Sequence, residues 1–225
     1  MRTVIINQAR MTSTRLPGKV LKEVMGKPLL EYQIERLKKV KQADDLVIAT
    51  TINKSDQPII ELCKKLNINY YRGSEEDVLS RYYEAAKQYQ ADVIVRVTSD
   101  CPLIDPAVID EVINTYRENA HKYDYVSNTL ERTYPRGMDT EVFSFAALEE
   151  AYNKAVLKPE REHVTMYIYR HPERFRLFSV KYKIDESHHR WTVDTEEDFI
   201  LVKSILEELY LWKPDFTMED CLELM

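Results

Sequence analysis

Asn7-Gln-Ala-Arg-Met-Thr-Ser-Thr-Arg-Leu-Pro-Gly-Lys19 places three cations within ten positions near the amino end. Arg10, Arg15 and Lys19 alternate with the hydroxyls of Ser13 and Thr14 and with backbone amides. Such donors suit a triphosphate, because each phosphate oxygen needs charge-assisted partners. Neither GxxxxGK[ST] nor GxGxxG occurs, so this is not a Walker loop or a dinucleotide fingerprint. A basic loop with no ligand is the plainer alternative.

Two acids are the natural complement. Asp100 follows the apolar run Val93-Ile-Val-Arg-Val97, and an acid at a strand's carboxyl end suits Mg²⁺, which takes few carboxylates plus phosphate and water oxygens. A turn or capping aspartate is the competing reading. Asp194, in Arg190-Trp-Thr-Val-Asp-Thr-Glu-Glu-Asp198, is by itself expected to cap the helix that follows. It becomes a second metal ligand only if the fold brings it to Asp100.

Other chemistry-bearing residues point less far. Glu160-Arg-Glu-His163 lacks HExxH spacing, so zinc is not indicated, and His188-His189 sits in a charged, solvated loop. Cys101 as a nucleophile would need a histidine or a basic neighbourhood. Pro135-Arg-Gly-Met-Asp-Thr-Glu141 is either an edge hairpin or a contact for substrate or a second subunit.

Charge and composition narrow the partners. The 225-residue chain carries 32 basic and 38 acidic side chains, a net of −6, which argues against nucleic acid as the main partner. Residues 1–30 hold six of the basic residues and one acid, a basic island suited to a small polyanion. Only four glycines occur, each in a polar connection and most beside Pro, Arg or Lys, which leans towards a shaped anion site. Three widely spaced cysteines imply no disulfide framework and fit a reduced, cytoplasmic setting. No signal peptide is legible and no run approaches the ~18 apolar residues of a membrane helix.

The elements that must position these groups follow from periodicity. The apolar run Thr3–Ile6 predicts a first strand buried on both faces, Leu46–Ala49 and Val93–Val97 predict a second and a fourth, and Asn69–Tyr71 gives a short third between them. Between them, helices are predicted over Pro28–Lys39, after a Ser55 or Asp56 cap, from Ser74-Glu-Glu-Asp77 to about Tyr89, and after Asp105-Pro106. Alternation of this kind implies a parallel sheet with right-handed crossovers. Beyond residue 123 the order loosens, with strands at Tyr123–Ser127, Thr140–Ser144 and Phe175–Lys181. Helices are expected at Phe145–Ala155, Glu160–Arg170, Thr195–Leu209 and after Thr217. No linker or repeat divides the chain, so residues 1–225 form one domain with a substrate or dimerisation subregion around 123–182. In open α/β sheets ligands bind beyond the strands' carboxyl ends, which brings the loops 7–19, 72–77 and 98–102 together.

Gln8-Ala-Arg10 through Arg15-Leu-Pro-Gly-Lys19 resembles the opening signature of the CMP-sugar cytidylyltransferases. Arg72-Gly-Ser-Glu-Glu-Asp77, Asp100-Cys-Pro-Leu-Ile104 and Val193-Asp-Thr-Glu-Glu-Asp198 match later stations in the same order. With Tyr134-Pro-Arg-Gly137 and Glu160-Arg-Glu-His-Val164, the set is most similar to the spore coat polysaccharide biosynthesis protein SpsF branch. The resemblance implies a nucleotide-diphospho-sugar transferase (Rossmann-like) fold, with a mixed, mostly parallel sheet flanked by helices. It also implies transfer of CMP from CTP to a sugar, expected to be acidic, with release of pyrophosphate, in surface or spore coat polysaccharide synthesis.

Carried over, Gln8, Ala9, Arg10 and Ser13 approach the nucleotide, Arg15 and Lys19 its phosphates, and Arg72 and Thr98 the base. Asp100 and Asp194 would hold Mg²⁺. Arg136, Asp139, Glu141 and His163 would face the sugar or the second subunit of a homodimer. Two alternatives remain open at this stage: a glycosyltransferase using a nucleotide sugar on the same fold, or a non-catalytic nucleotide-binding pathway protein.

Overall fold

The computed structural model describes all 225 residues. Four strands, β1 (Thr3–Gln8), β4 (Asp45–Thr51), β5 (Asn69–Gly73) and β6 (Val93–Thr98), run parallel. The crossovers between them carry a small antiparallel ribbon, β2 (Glu23–Val24) with β3 (Lys27–Pro28), and the helices α1 (Leu29–Leu37), α2 (Gln57–Lys65) and α3 (Val78–Gln88). After α4 (Pro106–Glu118) come β7 (Tyr125–Ser127) and β8 (Glu141–Ser144), then α5 (Phe145–Lys154), α6 (Lys158–Glu162) and α7 (Met166–Arg170). The chain ends with β9 (Leu177–Ser179), α8 (Glu196–Leu209) and α9 (Met218–Glu223).

The sheet order is β5-β4-β1-β6-β8-β7-β9, with β8 antiparallel to both β6 and β7. Alternate residues of β1 enter opposite layers: Ile5 packs into the layer of α1, α2, α4, α8 and α9, while Val4 and Ile6 pack into that of α3, α5 and α7. Burial on both faces is why this strand is uniformly apolar. From β1 the chain winds outward through β4 to β5, then crosses back to β6 on the other side of β1. That reversal splits the two loops leaving β1 and β6 and opens a crevice beyond their ends. Gln8 and Thr98 are register partners at its lip.

Three expectations differ from the structure. Asp56 stands at the N-cap of α2 but its side chain makes no cap bond; the buried carboxylate instead accepts from the Met11 amide at 2.7 Å and from the Thr51 hydroxyl, pinning the basic loop to the end of β4. The helix expected over 160–170 is two helices, α6 and α7, because Val164 between them is buried at φ 48°. Residues 134–141 form no edge hairpin, since β8 lies inside the sheet between β6 and β7.

Candidate functional site

A cavity of about 360 Å³ lies beyond the ends of β1 and β6. Its lining comes from four stretches far apart in sequence: the basic loop, the start of α3, the β6 terminus and α6, closed by Asp194. The basic loop folds back on itself, with the Gly18 amide donating to the Met11 carbonyl at 2.8 Å. Gly18 takes φ 71°, a left-handed turn that a glycine enters at no steric cost. Lys19 then starts a single 3₁₀ turn with its side chain directed inward.

The Lys19 ammonium, 12% exposed, is the hub of the site. It donates to Asp194 Oδ1 at 2.8 Å and to the Val193 carbonyl at 2.7 Å, and it lies 3.6 Å from Asp100 Oδ2. Asp194 and Asp100, 94 residues apart, therefore share one cation. A backbone bond from the Val193 amide to the Asp100 carbonyl, 2.8 Å, fixes their spacing. Burial raises the Asp194 pKa, but the Lys19 hydrogen bond and the charges of Lys19, Arg15 and Arg190 outweigh it, leaving the carboxyl below its ordinary 3.8. Two carboxylates on one wall of a cationic cavity form a hard-oxygen donor set able to hold a divalent ion.

Asp194 is free for this because it does not cap α8, contrary to expectation. Thr195 does, in a capping box with Asp198, whose carboxylate also accepts from the Asp194 amide at 2.9 Å. The segment before it is tied to the loop 134–138 by an isolated β-bridge between Arg136 and Arg190: the Trp191 amide donates to the Arg136 carbonyl at 2.8 Å, and the Arg136 amide donates to the His189 carbonyl at 3.0 Å. At Gly137, φ 111°, a Cβ would stand 3.1 Å from the Trp191 carbonyl, so this close approach excludes a side chain.

Of the residues singled out in sequence, Gln8, Ala9, Arg10, Ser13, Arg15, Lys19, Thr98, Asp100, His163 and Asp194 line the cavity. Arg10 lies 3.5 Å from Glu75, and Arg15 3.0 Å from Asp194, both largely exposed. Four others lie outside the lining. Arg72 donates to the carbonyls of Thr51 and Asn53, at 3.0 and 3.1 Å. Asp139 pairs with Arg132 through both oxygens, Arg136 is exposed with its backbone bridged to Arg190, and Glu141 is buried against Arg96, Tyr125 and Thr165. None of the four glycines lines the cavity; Gly18, Gly26 and Gly137 take positive φ in turns, and Gly73 ends β5 where the Arg81 side chain packs against it.

Sequence reasoning passed over Arg81, Arg96, Lys158 and Glu162, which do line it. Arg96 interrupts an otherwise apolar strand, and that interruption was the available signal. Its guanidinium holds Glu141 and reaches the Gln8 amide oxygen at 3.2 Å. Arg81, 2% exposed, donates to the Ser74 carbonyl at 2.9 Å, and burial lowers its pKa. Cys101 is buried, and burial pushes its thiol well above the ordinary range, which removes it as a nucleophile.

The family model described as cytidylyltransferase matches residues 3–218. The chain belongs to the cytidylyltransferase family. The Bacillus subtilis spore coat polysaccharide biosynthesis protein SpsF is 32% identical to this cytidylyltransferase over 229 residues, covering 99% of this chain and 93% of SpsF. An uncharacterized protein of Methanocaldococcus jannaschii is 44% identical over 203 residues, 89% of this chain and 82% of its own. The solved structure of a cytidylyltransferase from Leptospira borgpetersenii superposes with TM-score 0.95 at 37% identity, covering 100% of this chain and 93% of that one. The fold is thus the nucleotide-diphospho-sugar transferase fold, and the cytidylyltransferase is an enzyme that transfers a nucleotidyl group. This answers both alternatives that the sequence left open. No helix is long and apolar enough to cross a membrane.

Proposed function

We propose that the cytidylyltransferase moves CMP from CTP to a hydroxyl of an acidic sugar, releasing pyrophosphate, with Mg²⁺ held by Asp100 and Asp194. The observation that carries the reading is the convergence of both carboxylates on the Lys19 ammonium, at 2.8 and 3.6 Å, on the wall of a cavity lined by Arg10 and Arg15. Carboxylates beside cations suit a metal–triphosphate complex, whose own charges alternate in the same way.

When bound, the ion supplies positive charge to the phosphate oxygens. The chain's own groups do the rest. Lys19, Arg15 and Arg10 bind the triphosphate, and Arg15, 62% exposed and paired only with Asp194, can exchange that carboxylate for phosphate. These cations stabilise the charge that grows on pyrophosphate as it leaves, an effect worth several kcal/mol in a preorganised site. The sugar hydroxyl must attack the α-phosphorus in line with the leaving group. Lys158 and His163, on the α6 wall, are basic groups of the cavity that suit a sugar carboxylate. Positioning, rather than covalent chemistry, is the task.

The test is a coupled pyrophosphate assay with each of CTP, UTP, ATP and GTP, Mg²⁺ and a panel of sugar acids and neutral sugars. Release that requires CTP, Mg²⁺ and a sugar acid together supports the proposal. Release with neutral sugars alone overturns the substrate class, and release undiminished in excess chelator overturns the metal. A role in surface or spore coat polysaccharide synthesis accords with the SpsF likeness, and is checked by glycan analysis of a deletion strain.

A further inference from the structure

Outside the cavity, Glu186, His188 and His189 bring three ligand atoms within 4.8 Å of one another. Glu186 Oε2 lies 3.6 Å from His189 Nε2 and 3.9 Å from His188 Nε2. Their convergence has a local cause. The His189 amide donates to the Glu186 carbonyl at 3.1 Å, closing a four-residue turn. His188 sits at the bend, and its ring centroid lies 4.1 Å from that of His189.

The turn is braced at both ends. The Glu186 amide donates to Thr133 at 2.8 Å, and the His189 carbonyl accepts from Arg136 at 3.0 Å. The His189 ring rests 5.6 Å from that of Trp191, while His188 faces solvent. A ligand that binds here has little chain left to order.

We propose that this turn is a second metal site, separate from the phosphate cavity, which takes one zinc-like divalent ion through two imidazoles and one carboxylate. Metal–ligand bonds of about 2.0–2.1 Å place tetrahedral neighbours about 3.4 Å apart. To reach that, the carboxylate–imidazole spacings of 3.6 and 3.9 Å close by about 0.2 and 0.5 Å, and the two imidazole nitrogens, which lie within 4.8 Å, draw together by rotation of the exposed His188 ring. His188 leaves one side open for a water in the fourth position. Nitrogen donors also separate this site from the oxygen-only pair Asp100 and Asp194, because zinc accepts imidazole and Mg²⁺ prefers oxygen. None of the three residues lines the cavity, so the site stands whether or not the reading of the cavity does.

The test titrates tag-free protein with zinc chloride against a chromophoric chelator, in the wild type, in His188→Ala, in Glu186→Gln and in the double variant Asp100→Asn/Asp194→Asn. One zinc per chain is expected in the wild type and in the aspartate double variant, undisplaced by excess Mg²⁺. His188→Ala, at an exposed position that folding does not need, should weaken binding by more than tenfold. Even loss of a partner behind a metal ligand costs about 10–100-fold. X-ray absorption of the bound zinc should show only nitrogen and oxygen neighbours. Failure of the wild type to retain zinc, equal retention by His188→Ala, or a sulfur neighbour from one of the three free cysteines would each overturn the proposal.

Discussion

The two halves of this cytidylyltransferase position their cavity-lining groups by different means. Residues 3–118 use repetition: each strand ends at the same edge of the sheet, so Gln8, Thr98 and Asp100 arrive at the crevice through the register of β1 and β6 alone. Residues 123–194 have no such repeat, and they deliver Asp194 through individual bonds: Val193 to Asp100, Trp191 to Arg136, and Gly137 beneath the Trp191 backbone. A strand end places a residue cheaply and with little choice. A tethered loop places one against a chosen partner, at the cost of depending on a few irreplaceable contacts.

The comparison breaks most readily at Trp191. This side chain is fully buried, and Trp191→Ala should remove about 3–5 kcal/mol of stability. It should also lower turnover in protein that remains folded, because Asp194 loses its brace. Melting curves together with the rate per folded molecule check both. A variant that is destabilised yet fully active per folded chain would show that Asp194 is placed without the second half's tethers. Next in size is Lys19→Ala, which removes the cation common to both halves and should lower pyrophosphate release by ~10² or more. Unchanged turnover there would separate the two carboxylates from catalysis.

How much of this was legible in the sequence follows the same division. The strands β1, β4 and β6 lie where apolar runs predicted them, because burial on both faces leaves a strong signal, while the edge strand β5 is only half-buried and was marked by its place between two helices. Asp100 was legible for the same reason, being tied to a strand's end. Asp194 was expected to cap α8, since neighbouring Asp and Thr both suit a cap and no local rule says which carries it. The break at Val164 was hidden too: a β-branched residue is among the last expected at positive φ, so only tertiary packing reveals it. Arg81 and Arg96 escaped because each sits in a stretch whose periodicity is explained by burial. Their place in the cavity comes from tertiary packing, which sets the start of α3 and the end of β6 on the same cavity.

A smaller effect tests whether Lys19 joins the halves electrostatically. The Asp194 carboxyl is depressed below its ordinary value, so its partners stabilise the fold above that value, and the contribution disappears as the pH falls through the folded-state pKa. Wild type and Lys19→Ala should therefore differ in melting temperature near neutral pH and converge as the pH is lowered below about 4. A gap that is constant across that range would mean that Lys19 stabilises the fold by packing alone.

The smallest expected change is at Thr195, and it isolates the division of labour between two adjacent residues. Thr195 accepts from the Asp198 amide and begins α8, while Asp194 faces the cavity. Thr195→Ala should cost about 1 kcal/mol of stability, the usual loss of a helix cap, and leave metal dependence nearly unchanged. Asp194→Asn should do the opposite, weakening the response to Mg²⁺ while α8 keeps its cap. Matched denaturant curves and Mg²⁺ titrations of the two variants check this. If Asp194→Asn instead carried the cap-sized loss of stability with Mg²⁺ dependence intact, Asp194 would be a structural residue. The second half of the molecule would then brace the site without entering it.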